Sequence, residues 1–256
     1  MILALDVGNT NIVFGFIHDG KILFESRIET QRGRTELEYA VILKNTLDIQ
    51  NIKTSDFDGA IISSVVPPVN GALSRAVKMV FGCDPVLVDV KSNHGLVIDI
   101  DRPEILGNDL ITGAVAALEK YAPPLIIFDL GTATTISVVD RNGHYVGGSI
   151  TTGLRLSQQA LSANAAQLPG ISLSAPDTVI GKNTEHAMRS GLIIGCAAMM
   201  DGMIDRIEKE LGDKATVVTT GGFGSVVSDL CNHDAIYDKD LILNGLWILY
   251  KRQMQK

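Results

Sequence analysis

Residues 4–17 read ALDVGNTNIVFGFI, and residues 127–140 read IFDLGTATTISVVD. Each runs from an apolar segment through an aspartate, an apolar residue, a glycine and a threonine into a second apolar segment. A short apolar run bounded by turn residues reads as a strand, so each phrase is strand, tight turn, strand, with the aspartate near the carboxyl end of the first strand. The surroundings repeat too. Asp19-Gly20 comes after the first phrase and Asn142-Gly143 after the second, and both dipeptides favour tight hairpins. A third strand-like run comes next in each case, KILFESRIE at 21–29 and HYVGGSI at 144–150. The chain therefore writes one three-strand meander twice.

The segments after each meander also match. After the first, residues 34–47 carry apolar positions at helical spacing with Thr35 placed as N-cap, and GAIISSVVPP at 59–68 reads as a buried strand ended by prolines. VNGALSRAVKMVFG at 69–82 is helical up to a glycine stop, and PVLVDV at 85–90 is a short strand. NDLITGAVAALEKYA at 108–122 reads as a helix capped by Asn108 or Asp109. After the second meander come a long helix from about Thr184 to Leu211, the strand ATVVTT at 215–220, the pair Gly221-Gly222 and a last helix ending near Arg252. Two α/β units, 1–107 and 108–256, are expected, each a mixed sheet flanked by helices, with a ligand cleft between them.

With 256 residues, 46% hydrophobic and 20% charged, the chain can bury a large core. Its net charge of −7, without a Lys/Arg cluster, argues against a nucleic-acid partner. The longest apolar runs are shorter than a membrane span needs, and the N-terminus lacks the pattern of a secretory signal, so a cytoplasmic protein without a membrane partner is expected. Cys83, Cys196 and Cys231 lack a metal-binding or disulfide spacing. His18, His94, His144 and His233 lie beside turn residues and are expected at the surface.

An aspartate at a strand's carboxyl end, with a glycine turn and hydroxyl residues after it, supplies a carboxylate for a cation and backbone N–H groups for a phosphate. Taken alone, such a phrase is more often a capped turn. Two copies at matching places in a duplicated fold favour phosphate. No GxxxxGK[ST] loop is present, but TTGGFGSVV at 219–227 leaves a strand and enters a helix, so Gly221 and Gly222 can let a ligand approach the backbone.

The two phrases resemble the acetate kinase, sugar kinase, Hsp70 and actin superfamily. Further stretches narrow the resemblance: SSVVP at 63–67, PEILGND at 103–109, GGSITTGL at 147–154, ALSANAAQLP at 160–169, GKNTEHAMRSG at 181–191, TGG at 220–222 and LILNGLWILYKR at 241–252. In order and spacing they are similar to the motifs of the type III pantothenate kinases. The resemblance implies duplicated actin-like (ribonuclease H-like) domains with ATP in the cleft, and transfer of the γ-phosphoryl group of ATP to pantothenate, the first step of coenzyme A biosynthesis. It implies that Asp6, Val7, Gly8, Asn9, Thr10, Asn11, Ile12 and Val13 form the ATP loop, with Asp6 close to magnesium-bound phosphates. It further implies that Asp129 ligates a monovalent cation (K+ or NH4+), that Thr132 contacts ATP, that Thr184 contacts pantothenate, that Asp109 is the general base, and that the enzyme is a homodimer.

The sequence departs from the family on the acceptor side. The family's Gly-Ala-Asp-Arg stands here as Gly107-Asn108-Asp109-Leu110, so the arginine expected at the pantothenate carboxylate is missing. Ile100 stands where an aromatic residue is usual, and Thr152 where proline is. Arg102 is one candidate to replace the lost charge. The second reading is a non-catalytic relative, a regulator that binds nucleotide but has lost the acceptor.

Overall fold

The computed structural model describes residues 1–164, 168 and 170–255, so residues 165–167 and 169 of the motif at 160–169 lie outside the described residues. The chain opens with β1 (Ile2–Val7), β2 (Asn11–His18), β3 (Lys21–Glu29), α1 (Glu36–Ile49), β4 (Gly59–Ser64), α2 (Pro67–Phe81) and β5 (Val86–Leu87). It continues with β6 (Val97–Ile98), α3 (Asn108–Lys120), β7 (Leu125–Leu130), β8 (Ala133–Val139), β9 (His144–Thr152) and α4 (Leu154–Asn164). The last elements are α5 (Thr184–Leu211), β10 (Thr216–Thr220), α6 (Gly224–Ser228), β11 (Ala235–Tyr237) and α7 (Leu241–Met254).

The expected duplication is present. The first sheet has the order β3-β2-β1-β4-β5, and the second, β11-β10-β7-β8-β9-β6, contains the same arrangement plus β6 at its edge. In each, three strands meander antiparallel and the first of them also pairs in parallel with the strand that returns after a helical segment: β1 with β4, β7 with β10. Because β1 and β7 are central and covered on both faces, their sequences are near-continuous apolar runs in which the aspartate is the exception.

The first unit comprises Met1–Gly95, Arg102–Ala116 and the residues from Leu241 onward. One face of its sheet presents Leu3, Leu5, Val7, Ile12, Phe14, Phe16, Ala60 and Ile62 to Tyr39, Leu43 and Leu47 of α1 and Val69, Leu73 and Val77 of α2. Thr35 caps α1 as expected, its hydroxyl accepting from the Glu38 N–H while the Glu38 carboxylate accepts from the Thr35 N–H at 2.7 Å. The other face is covered by α7. Gly59 has no room for a side chain there, since an added Cβ would lie 3.0 Å from Cζ of Tyr250, whose hydroxyl donates to the Asp58 carbonyl. A single cut between residues 107 and 108 therefore does not describe the units: α7, last in sequence, belongs to the first sheet, and α3 contributes its first turns to that unit.

The second unit comprises Leu96–Asp101 and Ala117–Asp240. Ile126, Phe128, Leu130 and Ile136 of its sheet pack against Leu154 of α4, Ile193, Ala197, Met200 and Ile204 of α5, and Val227 of α6. Among the described residues α5 is the one helix long and apolar enough to cross a membrane by composition, but those four residues lie against the sheet as core. The strand expected at 85–90 is reduced to Val86–Leu87. His94 is buried, against expectation, with Nε2 2.9 Å from the Val90 carbonyl oxygen.

Candidate active site

In the first unit the chain leaves β1 at Val7 and re-enters the sheet at Asn11. The Gly8 N–H donates to the Asn11 carbonyl at 3.0 Å and closes the turn. Thr30, just past β3, pins the turn from outside, its hydroxyl donating to the Gly8 carbonyl at 2.7 Å and its N–H to the Thr10 carbonyl at 2.9 Å. Asn9, Thr10 and Asn11 are exposed, whereas Val7 and Ile12 are core residues. Of the stretch 6–13, these two therefore have only their backbone to offer a ligand. Asp6 and Val13 are half-buried and stand in register across β1 and β2, with Ser63 of β4 in register on the other side of Asp6.

The end of β4 carries the next element. The Ser64 hydroxyl accepts from the Val66 N–H at 3.1 Å and bonds Asn70 Oδ1, and the Ser64 carbonyl accepts from Asn108 Nδ2 at 3.2 Å. That last bond seats the first turn of α3 at the carboxyl end of β4, the end at which open α/β sheets hold ligands. Neither Asn108 nor Asp109 is the cap expected from sequence. The Gly107 carbonyl accepts the first helical bond, from Ile111 N–H at 3.1 Å, so Gly107 is the cap residue and Asn108 and Asp109 are the first two helical residues. A Cβ on Gly107 would collide with Asp109 Oδ1, so a side chain there would push that carboxylate out of its place. Replacing Asn108 with alanine should cut kcat by roughly tenfold through loss of one positioning bond, while global stability falls by only about 1 kcal/mol. Steady-state kinetics and denaturant unfolding check the pair of effects.

Asp109 is half-buried at the start of α3, and its Oδ1 accepts from the Leu110 N–H at 2.8 Å. Burial pushes its carboxyl above the ordinary aspartate value, opposed in part by the N–H groups of Leu110 and of Asp109 itself. With Leu110 as its neighbour, no cation among the described residues stands beside it to pull the value down. Arg102, the candidate substitute charge, is exposed and paired with Glu104 at 3.0 Å.

The second unit builds the same device with a shorter turn. Asp129 pairs in register with Thr135 and Leu130 with Thr134, so three residues separate the last paired positions, where four separate Val7 from Ile12. The Gly131 N–H donates to the Ala133 carbonyl at 3.1 Å, and the Thr132 carbonyl accepts from the Gly153 N–H at 3.1 Å. Gly153, part of GGSITTGL, has no room for a Cβ against the carbonyls of Gly131 and Thr132. Gly221 has φ +85, and a Cβ on it would lie 2.5 Å from Asp129 Oδ1 and 2.8 Å from Leu130 N. The strand-to-helix turn after β10 is thus the wall against which Asp129 is held. A Cβ on Gly222, in contrast, would meet nothing within 4 Å among the described residues.

Thr184 opens α5, whose cap is Asn183, its Oδ1 accepting from the His186 N–H at 2.8 Å. A cavity of about 700 Å³ lies at this helix start, with Leu161, Leu168, Met188 and Leu192 as apolar wall and Lys182, Asn183 and Thr184 as polar wall. Ile100 is half-buried in this unit, and a Cβ on Gly147 would lie 4.0 Å from its Cγ2. The structure therefore places Asp6 to Val13 and Gly107 to Leu110 in the first unit, and Ile100, Asp129, Thr132, Thr184, Gly221 and Gly222 in the second. Sequence reasoning missed Thr30 and Gly153, which position the two turns. Thr30 carries no motif signal, and Gly153 sits in a quoted motif without an evident role.

The cysteines offer no nucleophile. Burial pushes the Cys196 thiol up to about 11 and Cys231 up to about 12, which keeps both as neutral thiols. Among the described residues no group of three His, Cys, Asp or Glu is placed to hold a metal. A magnesium ion that arrives with phosphates keeps most of its waters, so a single carboxylate such as Asp6 would be enough to hold it.

Solved structures share this two-sheet fold. A Baf family protein from Campylobacter jejuni superposes with a TM-score of 0.61 at 20% identity, covering 99% of this chain and 100% of that one. The activator of 2-hydroxyisocaproyl-CoA dehydratase from Clostridium difficile, solved with bound ADPNP, superposes with a TM-score of 0.53 at 13% identity, covering 99% and 96%. The fold is thus the duplicated actin-like one. The type III pantothenate kinase family model matches residues 2–206. A type III pantothenate kinase from Bacillus cytotoxicus is 40% identical over 252 residues, 98% of this chain and 96% of that protein. The chain belongs to the type III pantothenate kinase family.

Proposed function

We propose that the protein phosphorylates pantothenate with ATP, giving 4'-phosphopantothenate, the first committed intermediate of coenzyme A biosynthesis. The observation that carries the mechanism is the Asn108 to Ser64 bond, which fixes Asp109 at the carboxyl end of the strand in register with the one that bears Asp6. Phosphoryl transfer demands little covalent help from a protein, mainly positioning, charge neutralisation and one group to accept the hydroxyl proton. Magnesium, when bound with ATP, neutralises charge on the phosphates. Asp6 would hold it, and the backbone of the exposed residues Asn9 to Asn11 would meet the phosphate oxygens, the Gly8 N–H being spent on closing the turn. Gly221 and Gly222 supply close backbone approach. Asp109, its carboxyl pushed up by burial, is a stronger base than an ordinary aspartate and takes the proton of the pantothenate primary hydroxyl.

Thr132 contacts ATP, and Asp129 ligates a monovalent cation, potassium or ammonium. The wall formed by Gly221 supports this role, since it holds the carboxylate at the turn. Pantothenate lies against Gly107, Asn108, Leu110 and Ile100, with Thr184 as a hydroxyl partner. We further read the protein as a cytoplasmic homodimer, with Ile150 and Ile180, 74% and 79% exposed, as apolar surface that a second copy would cover. ADP release measured with and without pantothenate, and with potassium exchanged for sodium, tests the reading. Turnover that requires both pantothenate and potassium is expected. Nucleotide binding without turnover would instead favour a non-catalytic regulator.

A further inference from the structure

Ser63 is fully buried, and its hydroxyl has no hydrogen-bond partner among the described residues. A buried hydroxyl left unmade is costly, and in a native structure it calls for an explanation. Its position gives one. In the parallel pairing of β1 with β4, Ser63 is in register with Asp6, so the two side chains leave the same face of neighbouring strands about 4.8 Å apart. Val13 stands on the other side of Asp6, leaving Ser63 as the hydroxyl among its two in-register neighbours. The second unit repeats the placement, with Thr220 of β10 in register with Asp129 of β7. Elsewhere along the two parallel pairings the partners of β1 and β7 are apolar, except Ser64, whose hydroxyl is spent on Val66 and Asn70, and Thr216 and Thr219, which bond Ala122 and Ser228, while on its antiparallel side Asp129 has a second hydroxyl neighbour in register, Thr135 of β8. A hydroxyl beside the aspartate is thus a feature of both copies.

We propose that Ser63 is a positioning residue for Asp6: its hydroxyl takes up its missing hydrogen bond on the Asp6 carboxylate, or on a water of the magnesium ion that the carboxylate faces, once the metal and nucleotide are bound. This rests on the reading of Asp6 as the residue facing magnesium. Outer partners of metal-facing carboxylates typically account for 10–100-fold in metal affinity. Ser63→Ala removes one oxygen from a packed site and leaves its shape intact.

The test measures ADP binding calorimetrically against magnesium concentration, together with the melting temperature of the ligand-free chain. Ser63→Ala should raise the magnesium concentration at half-maximal binding by about tenfold, leave metal-free ADP binding unchanged and leave the ligand-free melting temperature unchanged or higher. Asp6→Asn should shift the magnesium midpoint further. An unchanged midpoint in Ser63→Ala, with Asp6→Asn shifted, overturns the proposal alone. Unchanged midpoints in both variants overturn the reading of Asp6 and the proposal with it. A fall of several degrees in the ligand-free melting temperature of Ser63→Ala would make the hydroxyl a structural one and also overturn it.

Discussion

Asp109→Asn is expected to lower kcat by about 10²–10⁴-fold, the range for removing a general base, and at the same time to raise rather than lower the melting temperature. The stability gain comes from the sign of the shift. Burial raises the folded-state value above the ordinary one, so the native chain holds this proton more tightly than the unfolded chain does. The contribution of the neutral group is therefore fully present below the ordinary aspartate value and lost as pH rises through the raised one. At neutral pH the ionised carboxylate costs the native state stability. Asparagine removes that cost and can still accept from the Leu110 N–H, so activity and stability should move in opposite directions. In the wild type, the acid limb of kcat against pH should sit above the ordinary aspartate value, because the base must be ionised to work. A variant that keeps turnover, or loses activity and melting temperature together, would remove Asp109 from the role.

Gly221→Ala should cost about 2–4 kcal/mol and lower the melting temperature by roughly 5–15 °C, combining left-handed strain with overpacking. Its φ of +85 excludes ordinary side chains, and the added Cβ would press on the backbone of Leu130 at 2.7 Å as well as on Asp129. The carboxylate could rotate away, but the strand backbone cannot do so without breaking its pairing with Thr134. Displacement of Asp129 should also raise the potassium concentration needed for half-maximal activity. Gly222→Ala is the control, since nothing lies near its added methyl, and stability there should change by less than about 1 kcal/mol.

The repeated phrase made most of the fold legible. The apolar strand runs, the Asp19-Gly20 and Asn142-Gly143 turns and the Thr35 cap are local signals, and the structure forms each where the sequence places it. Other features depend on contacts between distant segments. The apolar positions of α7 say that it packs, not on which sheet, and its return to the first unit becomes visible only through Gly59 and Tyr250. The capping preference of Asn and Asp pointed to the wrong residue in α3. Asn108 spends its side chain on the Ser64 carbonyl and Asp109 folds back on Leu110, which leaves the cap to Gly107. The unsatisfied hydroxyl of Ser63 has no sequence signal at all, because it is defined by register and by the partners it lacks.

The most direct measurement is mass-spectrometric identification of the product after the purified chain is incubated with ATP, magnesium, potassium and pantothenate. The account predicts 4'-phosphopantothenate in amounts equal to the ADP formed, and its disappearance in Asp109→Asn. Intact binding of ATP by the wild-type chain with no phosphorylated pantothenate would contradict it.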